Sequence, residues 1–327
     1  MAKKPIILSG IQPSGELHIG NYLGSLKNFV ELQNSGDYDC YFFVADLHAM
    51  TENYNPLELA KKTRGVVLDY LAAGLDPKKS TIFIQSQVVG HTELAWIFNT
   101  LSPMGELERM TQYKDKAARQ KENVNVGLFV YPVLQAADIL MYHGELVPVG
   151  YDQLQHVELT RSEARWFNNK YGQTFIEPKP LLTKTPKIMS LLDPEKKMSK
   201  SLGPGHYIGI NESPVEIKQK LKRAVSDEGH GNSAGGKNLL LLLENFSPKE
   251  IVSHFQTQQK QGQIKFGELK ERLADDIANY FAPFRDKRQE LEKDKKQVDL
   301  VISGGNKKAQ VVADKTIIEV KKKVGLI

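Results

Sequence analysis

The chain has 327 residues, 40% apolar and 25% charged, a composition that supports a buried core and a length that suggests two domains or one with a large appendage. No run of about 18 apolar residues occurs, which excludes an ordinary spanning helix, and the single cysteine, Cys40, excludes an intramolecular disulfide, with no Cys/His cluster at zinc spacing. Net charge is +5, yet residues 1–200 hold 22 basic and 22 acidic side chains while residues 201–327 hold 22 against 17, so the excess sits in the last two-fifths and hints at a polyanionic partner there, although a solvated lysine-rich helical surface reads the same way.

The opening residues read as a first strand, because their apolar stretch is too short for the core of a secretory signal, and the cytoplasm is the expected compartment. Strands are expected at 5–8, 40–45, 81–85, 145–149 and 188–192. Runs such as Phe-Phe-Val and Ile-Phe-Ile are apolar without alternation, as strands covered on both faces should be. Between them, residues 56–73 have helical spacing, with Leu59, Val66, Val67 and Tyr70 on one side and Gly74 placed to end the helix. Further helices are expected at 93–101, 126–142 and 152–171. Alternation of this kind predicts parallel βαβ units, an α/β Rossmann-like, doubly wound parallel sheet.

After Ser201 the texture changes. Gly203-Pro204-Gly205 breaks the chain, Ser213-Pro214 opens a helix through about residue 224, and 227–237 reads as a loop. Helices are expected at 238–245, 247–259, 266–281 and 283–296, with a final basic helix at 306–324 after Gly304-Gly305. The predicted organisation is therefore a Rossmann-like domain over 1–205, an all-helical domain over 206–300, and a C-terminal helix over 301–327 packing back on the first domain.

Two motifs carry chemistry. Ser9-Gly10-Ile11-Gln12-Pro13-Ser14-Gly15-Glu16-Leu17-His18-Ile19-Gly20-Asn21 follows the first strand and opens a helix. Its glycines allow close approach of backbone to a ligand, and the helix N-terminus offers an anion site. It matches neither G-x-G-x-x-G nor a P-loop, and a glycine-rich turn by itself also serves tight packing. His18 and Gly20, one turn inside such a helix, suit a triphosphate and an adenine. The second motif, Lys196-Lys197-Met198-Ser199-Lys200-Ser201, places three lysines and two hydroxyls on a loop able to close over pyrophosphate; alone, it would be solvated surface. No catalytic cysteine or G-x-S-x-G accompanies them.

The pair resembles the two signatures of class I aminoacyl-tRNA synthetases. The string Gly10 to Gly24 is most similar to the bacterial tryptophanyl-tRNA synthetases, as are 45–51, 105–112, 131–140, 147–156 and 188–192, so that the likeness covers most of residues 5–205; the helical half matches in layout more than in motif. The resemblance implies activation of L-tryptophan by Mg-ATP to tryptophanyl-adenylate and pyrophosphate, then transfer to tRNA(Trp). It implies ATP as substrate, Mg2+ only as the companion of ATP with no protein metal site, and a homodimer without membrane contact.

By position, the resemblance gives Gln12, Pro13, Ser14, Gly20, Asn21, Gly150, Tyr151, Asp152, Ile188, Lys197, Met198, Ser199, Lys200 and Ser201 to ATP, with His18 beside them. Lys197, Lys200, His18 and Lys114 are the expected catalytic groups, Lys114 being otherwise an ordinary surface lysine. Asp138, alone among apolar neighbours, is expected to accept the indole N–H of tryptophan; otherwise it is a buried carboxylate satisfied by a neighbouring donor. Tyr131 and Gln153 are expected at the α-ammonium, with Ser9 and Gln12 close by, and His48 either takes part or packs a strand end. Three positions depart from the family: Leu8 and Gln135 in the pocket walls, and Tyr151 at the nucleotide. The rival readings are a tyrosyl-tRNA synthetase, a small nucleotidyltransferase with a similar turn, and a non-catalytic tryptophan- or nucleotide-binding paralogue.

Overall fold

The computed structural model describes residues 3–119, 124–183 and 186–327. It divides into two compact units: one of Met1–Gly15, Lys27–Lys184 and Leu291–Ile327, the other of Glu16–Leu26 and Thr185–Glu290.

The first unit is built on a five-stranded parallel sheet. Its strands are β1 (Ile6–Ile11), β2 (Asp39–Val44), β3 (Ser80–Ile84), β4 (Leu146–Val149) and β5 (Lys179–Leu182), in the spatial order β3-β2-β1-β4-β5. Register is set by pairs such as Ile7↔Cys40, Gly10↔Phe43 and Phe42↔Ile82. The central strands are rich in Ile, Phe and Val and buried along nearly their whole length, because helices cover both faces of a parallel sheet. The helix Pro56–Ala72 starts at Asn55, whose side chain accepts the Leu57 N–H, and is followed by Gly74 at φ +109. From that helix the buried Tyr70 hydroxyl donates to the Phe43 carbonyl at 2.9 Å and accepts the Ile11 N–H at 3.0 Å, tying β1 to β2 at the end where β1 finishes.

Two strand expectations are corrected. Residues 188–192 form no strand: the segment makes one antiparallel bridge, Met189 with Lys197, and lies in the other unit. The Asn238 side chain accepts the Met189 N–H and donates to the Met189 carbonyl, both at 2.9 Å, while Ser190 and Leu191 donate to the carbonyls of Lys196 and His206. The fifth strand is β5, Lys-Pro-Leu-Leu, a half-exposed edge where proline's missing N–H is tolerated.

The helix expected to begin at 306 is the end of a single helix, Lys295–Val324, which runs straight through Gly304-Gly305. A Cβ at Gly305 would lie 1.7 Å from the Ile82 carbonyl oxygen, so this glycine lets the helix lie directly on β3. At the next residue, Asn306 Oδ1 accepts the Ile84 N–H at 3.0 Å.

The second unit is helical after residue 213. Pro214–Arg223 opens with a capping box between Ser213 and Glu216, and Ala234–Phe246, Lys249–Lys260 and Phe266–Tyr280 follow around a core of Ile217, Leu221, Leu243, Leu269, Leu273 and Ile277. Ala234–Phe246 begins earlier than the glycine content suggests, because Ser233 caps it by accepting the Gly236 N–H.

Candidate active site

In the first unit the strand order reverses between β1 and β4: the chain moves outward through β2 and β3 on one side and through β5 on the other. Parallel α/β sheets bind ligands at the carboxyl ends of such a pair. Gln12, Pro13 and Ser14 leave the end of β1, and Gly150, Tyr151 and Asp152 leave the end of β4. Pro13 is buried and Gln12 half-buried, while Ser14, Tyr151 and Asp152 are exposed. A Cβ at Gly150 would meet only Asp152 Oδ1, at 2.8 Å, the end of an exposed side chain. The Gln153 amide donates to Asp152 Oδ2 at 3.1 Å.

Behind this end of the sheet lies a buried polar cluster centred on Asp138. This residue sits in the helix Val126–Met141 and has no exposed surface. Gln85, the first residue after β3, donates its side-chain amide to both carboxylate oxygens, at 2.8 and 2.9 Å. That amide is oriented by its own carbonyl oxygen, which accepts the Leu47 N–H at 3.1 Å. His48 Nε2 bonds Oδ2 at 2.8 Å and His91 Nδ1 bonds Oδ1 at 2.6 Å. Burial alone would raise the proton affinity of Asp138; the bonds from His48 and His91 outweigh it and hold the carboxyl at about 2, so it is a carboxylate throughout the neutral range.

Around the cluster, the Tyr131 ring stands edge-on to His48 at 6.2 Å and its hydroxyl meets His156 Nε2 at 2.9 Å. Burial pushes the Tyr131 phenol above its ordinary value. Gln12 donates to the His48 carbonyl at 3.5 Å. Ser9 and Gln135 are half-buried, Leu8 belongs to the core with its Cβ 3.6 Å from where a side chain at Gly144 would begin, and Lys114 is exposed on the helix Thr111–Arg119.

Gln85 and His91 were not singled out by sequence reasoning. For Gln85 a signal existed: a polar residue at the carboxyl end of an apolar parallel strand. For His91 no local pattern links it to Asp138.

In the second unit the two sequence motifs meet. His18 is the N-cap of the short turn Ile19–Asn21 rather than a residue within it: its Nδ1 accepts the N–H of Gly20 at 3.1 Å and of Asn21 at 3.4 Å, and Asn21 Oδ1 accepts the His18 N–H at 3.2 Å. The helix N–H groups that the sequence suggested for a phosphate are thus engaged by the histidine itself. Nδ1 is an acceptor, so Nε2 carries the proton and is the atom left to donate. Burial, then the charges of Lys200 and Lys197, lower the His18 pKa to about 4, so the ring is neutral at pH 7.

Those lysines belong to the second motif. Met198 is buried, its N–H donating to the Ile188 carbonyl at 3.0 Å, and a Cβ at Gly20 would lie 4.0 Å from Met198 Cβ. Ser199 opens the next turn, its Oγ accepting the Ser201 N–H at 3.3 Å and meeting Ser201 Oγ at 2.8 Å. Antiparallel contacts of Leu17 and Ile19 with Ile208 and Ile210 hold the first motif in place. The result is a neutral N–H donor with two ammonium groups near it, suited to developing negative charge on phosphate oxygens.

The family model for class I tRNA synthetases (W and Y) matches residues 1–282. The chain is 44% identical to the tryptophan–tRNA ligase of Clostridium perfringens over 335 aligned residues, covering 99% of this chain and 98% of that protein. It is 44% identical to the tryptophan–tRNA ligase of Caldanaerobacter subterraneus over 329 residues, with 98% of each covered. The crystal structure of tryptophanyl-tRNA synthetase from Campylobacter jejuni complexed with ADP and tryptophan is similar with a TM-score of 0.86 at 33% identity, covering 98% of this chain and 99% of that one. A parallel sheet that reverses at β1 and β4, a histidine-capped turn against a lysine loop, and relatives alike from end to end agree: the chain belongs to the class I tRNA synthetases of the W and Y family.

Proposed function

We propose that this chain is a tryptophan–tRNA ligase. The tryptophan carboxylate attacks the α-phosphorus of ATP, the bond from that phosphorus to the bridging oxygen breaks, and pyrophosphate leaves. The 3′-terminal adenosine of tRNA(Trp) then takes the tryptophanyl group and AMP departs. Such chemistry depends on positioning and charge neutralisation and needs no protein nucleophile. The observation that carries this reading is 44% identity to tryptophan–tRNA ligases over nearly the full length, taken with the N–H-bearing His18 turn packed against Met198 of the lysine loop.

In this reading Lys197, Lys200 and His18 meet charge on the phosphates as pyrophosphate leaves, and Lys114 adds to it. Gln12, Pro13, Ser14, Gly20, Asn21, Gly150, Tyr151, Asp152, Ile188, Met198, Ser199 and Ser201 bind ATP. Asp138 receives the indole N–H, with Tyr131, Gln153, Ser9 and Gln12 at the amino-acid head and Leu8, Gln135 and His48 as walls. Among the described residues no three His, Cys, Asp or Glu side chains are arranged to hold a metal. In this reading Mg2+ accompanies ATP as its counter-ion.

The helical residues 206–300 take the anticodon end of the tRNA, residues 1–205 with the C-terminal residues 301–327 form the catalytic part, and the protein works as a cytoplasmic homodimer. Phosphate contacts release counter-ions, so tRNA affinity should fall steeply as salt is raised; binding indifferent to salt would remove the tRNA assignment. Pyrophosphate exchange into ATP with tryptophan, tyrosine or phenylalanine tests the whole reading. Exchange driven by tryptophan alone is expected, and exchange driven by tyrosine would overturn it.

A further inference from the structure

The hydrogen bonds of Asp138 do more than satisfy a buried charge. Oδ1 is closed by Gln85 and by His91, and neither donor side chain is exposed to solvent. Oδ2 shares Gln85 with His48, whose side chain is 13% exposed. A ligand N–H therefore reaches the carboxylate only from the side of His48, by replacing that bond.

Behind Oδ1 the chain of bonds continues. His91 Nε2 lies 2.8 Å from the Tyr142 hydroxyl, and both residues are fully buried. Burial, with the Asp138 charge and Tyr41, pushes the Tyr142 phenol above its ordinary value, so it keeps its proton. A carboxylate only accepts, which assigns a proton to His91 Nδ1; in the neutral ring Nε2 then accepts the Tyr142 O–H, and donation runs from Tyr142 through His91 to Asp138.

We infer that His91 and Tyr142 are positioning residues for tryptophan specificity, a relay that saturates Oδ1 and leaves Oδ2 of Asp138 as the single acceptor offered to the indole N–H. The inference rests on the proposed function above and deepens it. Without the relay, Oδ1 keeps only the shared Gln85 amide, so the carboxylate is less firmly held and its charge is less well directed. Recognition of the N–H should then weaken while the apolar walls of the pocket remain.

The test compares tryptophan with its benzothiophene analogue, in which sulfur replaces the N–H at nearly constant shape, in pyrophosphate exchange by the full chain. In the wild type, kcat/KM should favour tryptophan. Tyr142→Phe removes one hydroxyl and keeps the ring; it should narrow that preference by roughly 2–10-fold, the worth of a neutral hydrogen bond, mostly through the KM for tryptophan. His91→Gln, which withdraws the donor from Nδ1, should narrow it further, and His91→Asn, whose amide lies near the Nδ1 position, should restore part of it. A purely structural role would lower both substrates together, so an unchanged ratio in folded Tyr142→Phe and His91→Gln overturns the relay. Absence of tryptophan-dependent exchange in the wild type overturns instead the function on which it rests.

Discussion

The backbone N–H of Gly20 points at Nδ1 of His18, 3.1 Å away, and this bond fixes what the histidine can offer a substrate. With Nδ1 engaged, only the Nε2 proton remains for a phosphate oxygen. His18→Asn should separate the two jobs. Asparagine is a strong N-cap, so stability should change by less than about 1 kcal/mol, whereas pyrophosphate exchange should fall by roughly 10²–10³ through loss of one donor. Thermal unfolding alongside exchange rates checks the pair of outcomes.

The same histidine makes a prediction about acid. Its pKa falls from 6.5 to about 4 in the folded chain, so the unfolded chain binds the proton first as pH drops. The contribution of neutral His18 is complete above pH 6.5 and is lost progressively between 6.5 and about 4. Denaturant midpoints across that window should fall less in His18→Asn than in the wild type. Parallel curves for the two would show that the ring titrates normally.

Lys200→Ala should slow adenylate formation by about 10²–10³, the effect of removing one group that meets charge developing in the transition state. Tryptophan binding, measured by calorimetry without ATP, should be nearly unchanged. Weakened tryptophan affinity with a normal exchange rate is the reverse pattern and would contradict the role.

Asp138→Ala leaves Gln85, His48 and His91 without their shared acceptor. Unsatisfied buried donors cost about 1–3 kcal/mol, so the unfolding midpoint should fall. A site that must satisfy a buried polar group rejects a ligand lacking the partner by roughly 10⁴–10⁵, and the preference for tryptophan over phenylalanine in exchange should collapse toward the value set by shape alone. An unchanged preference would transfer specificity to walls such as Leu8 and Gln135.

Gly305→Ala tests the seat of the Lys295–Val324 helix. A methyl group cannot fit 1.7 Å from the Ile82 carbonyl oxygen, and overpacking typically costs about 1–3 kcal/mol. The melting temperature should drop clearly, against the slight gain expected of alanine in an open helix position such as Gly304, where a Cβ meets nothing.

What the sequence disclosed follows from what is local. β1 to β4 announce themselves because a strand covered on both faces must be apolar throughout, and Asp138 stands out as a charge among such residues. β5 escaped because Lys179 and Pro180 are permitted only by its edge position, a property of the sheet and not of the segment. Residues 188–192 look like a strand because apolar and β-branched side chains suit any buried extended segment; their partners proved to be the Asn238 side chain and scattered backbone groups of Lys196, Met198, His206 and Val225 rather than a neighbouring strand. Gly304-Gly305 reads as a break for a similar reason: the strand that requires the glycine lies far away along the chain. The donors to Asp138 come from three separate segments, at 48, 85 and 91, and only the folded sheet assembles them.

The bond from Ile84 to Asn306 spans 222 residues. β3 is the outer strand of the sheet on that side, and an outer strand is a template for pairing with other chains until something covers it. During synthesis, then, the sheet can assemble long before its guard emerges from the ribosome. A chain cut short before residue 295 would carry a finished sheet with one open flank, and aggregation of such fragments, rather than loss of chemistry, should be the first sign of their failure.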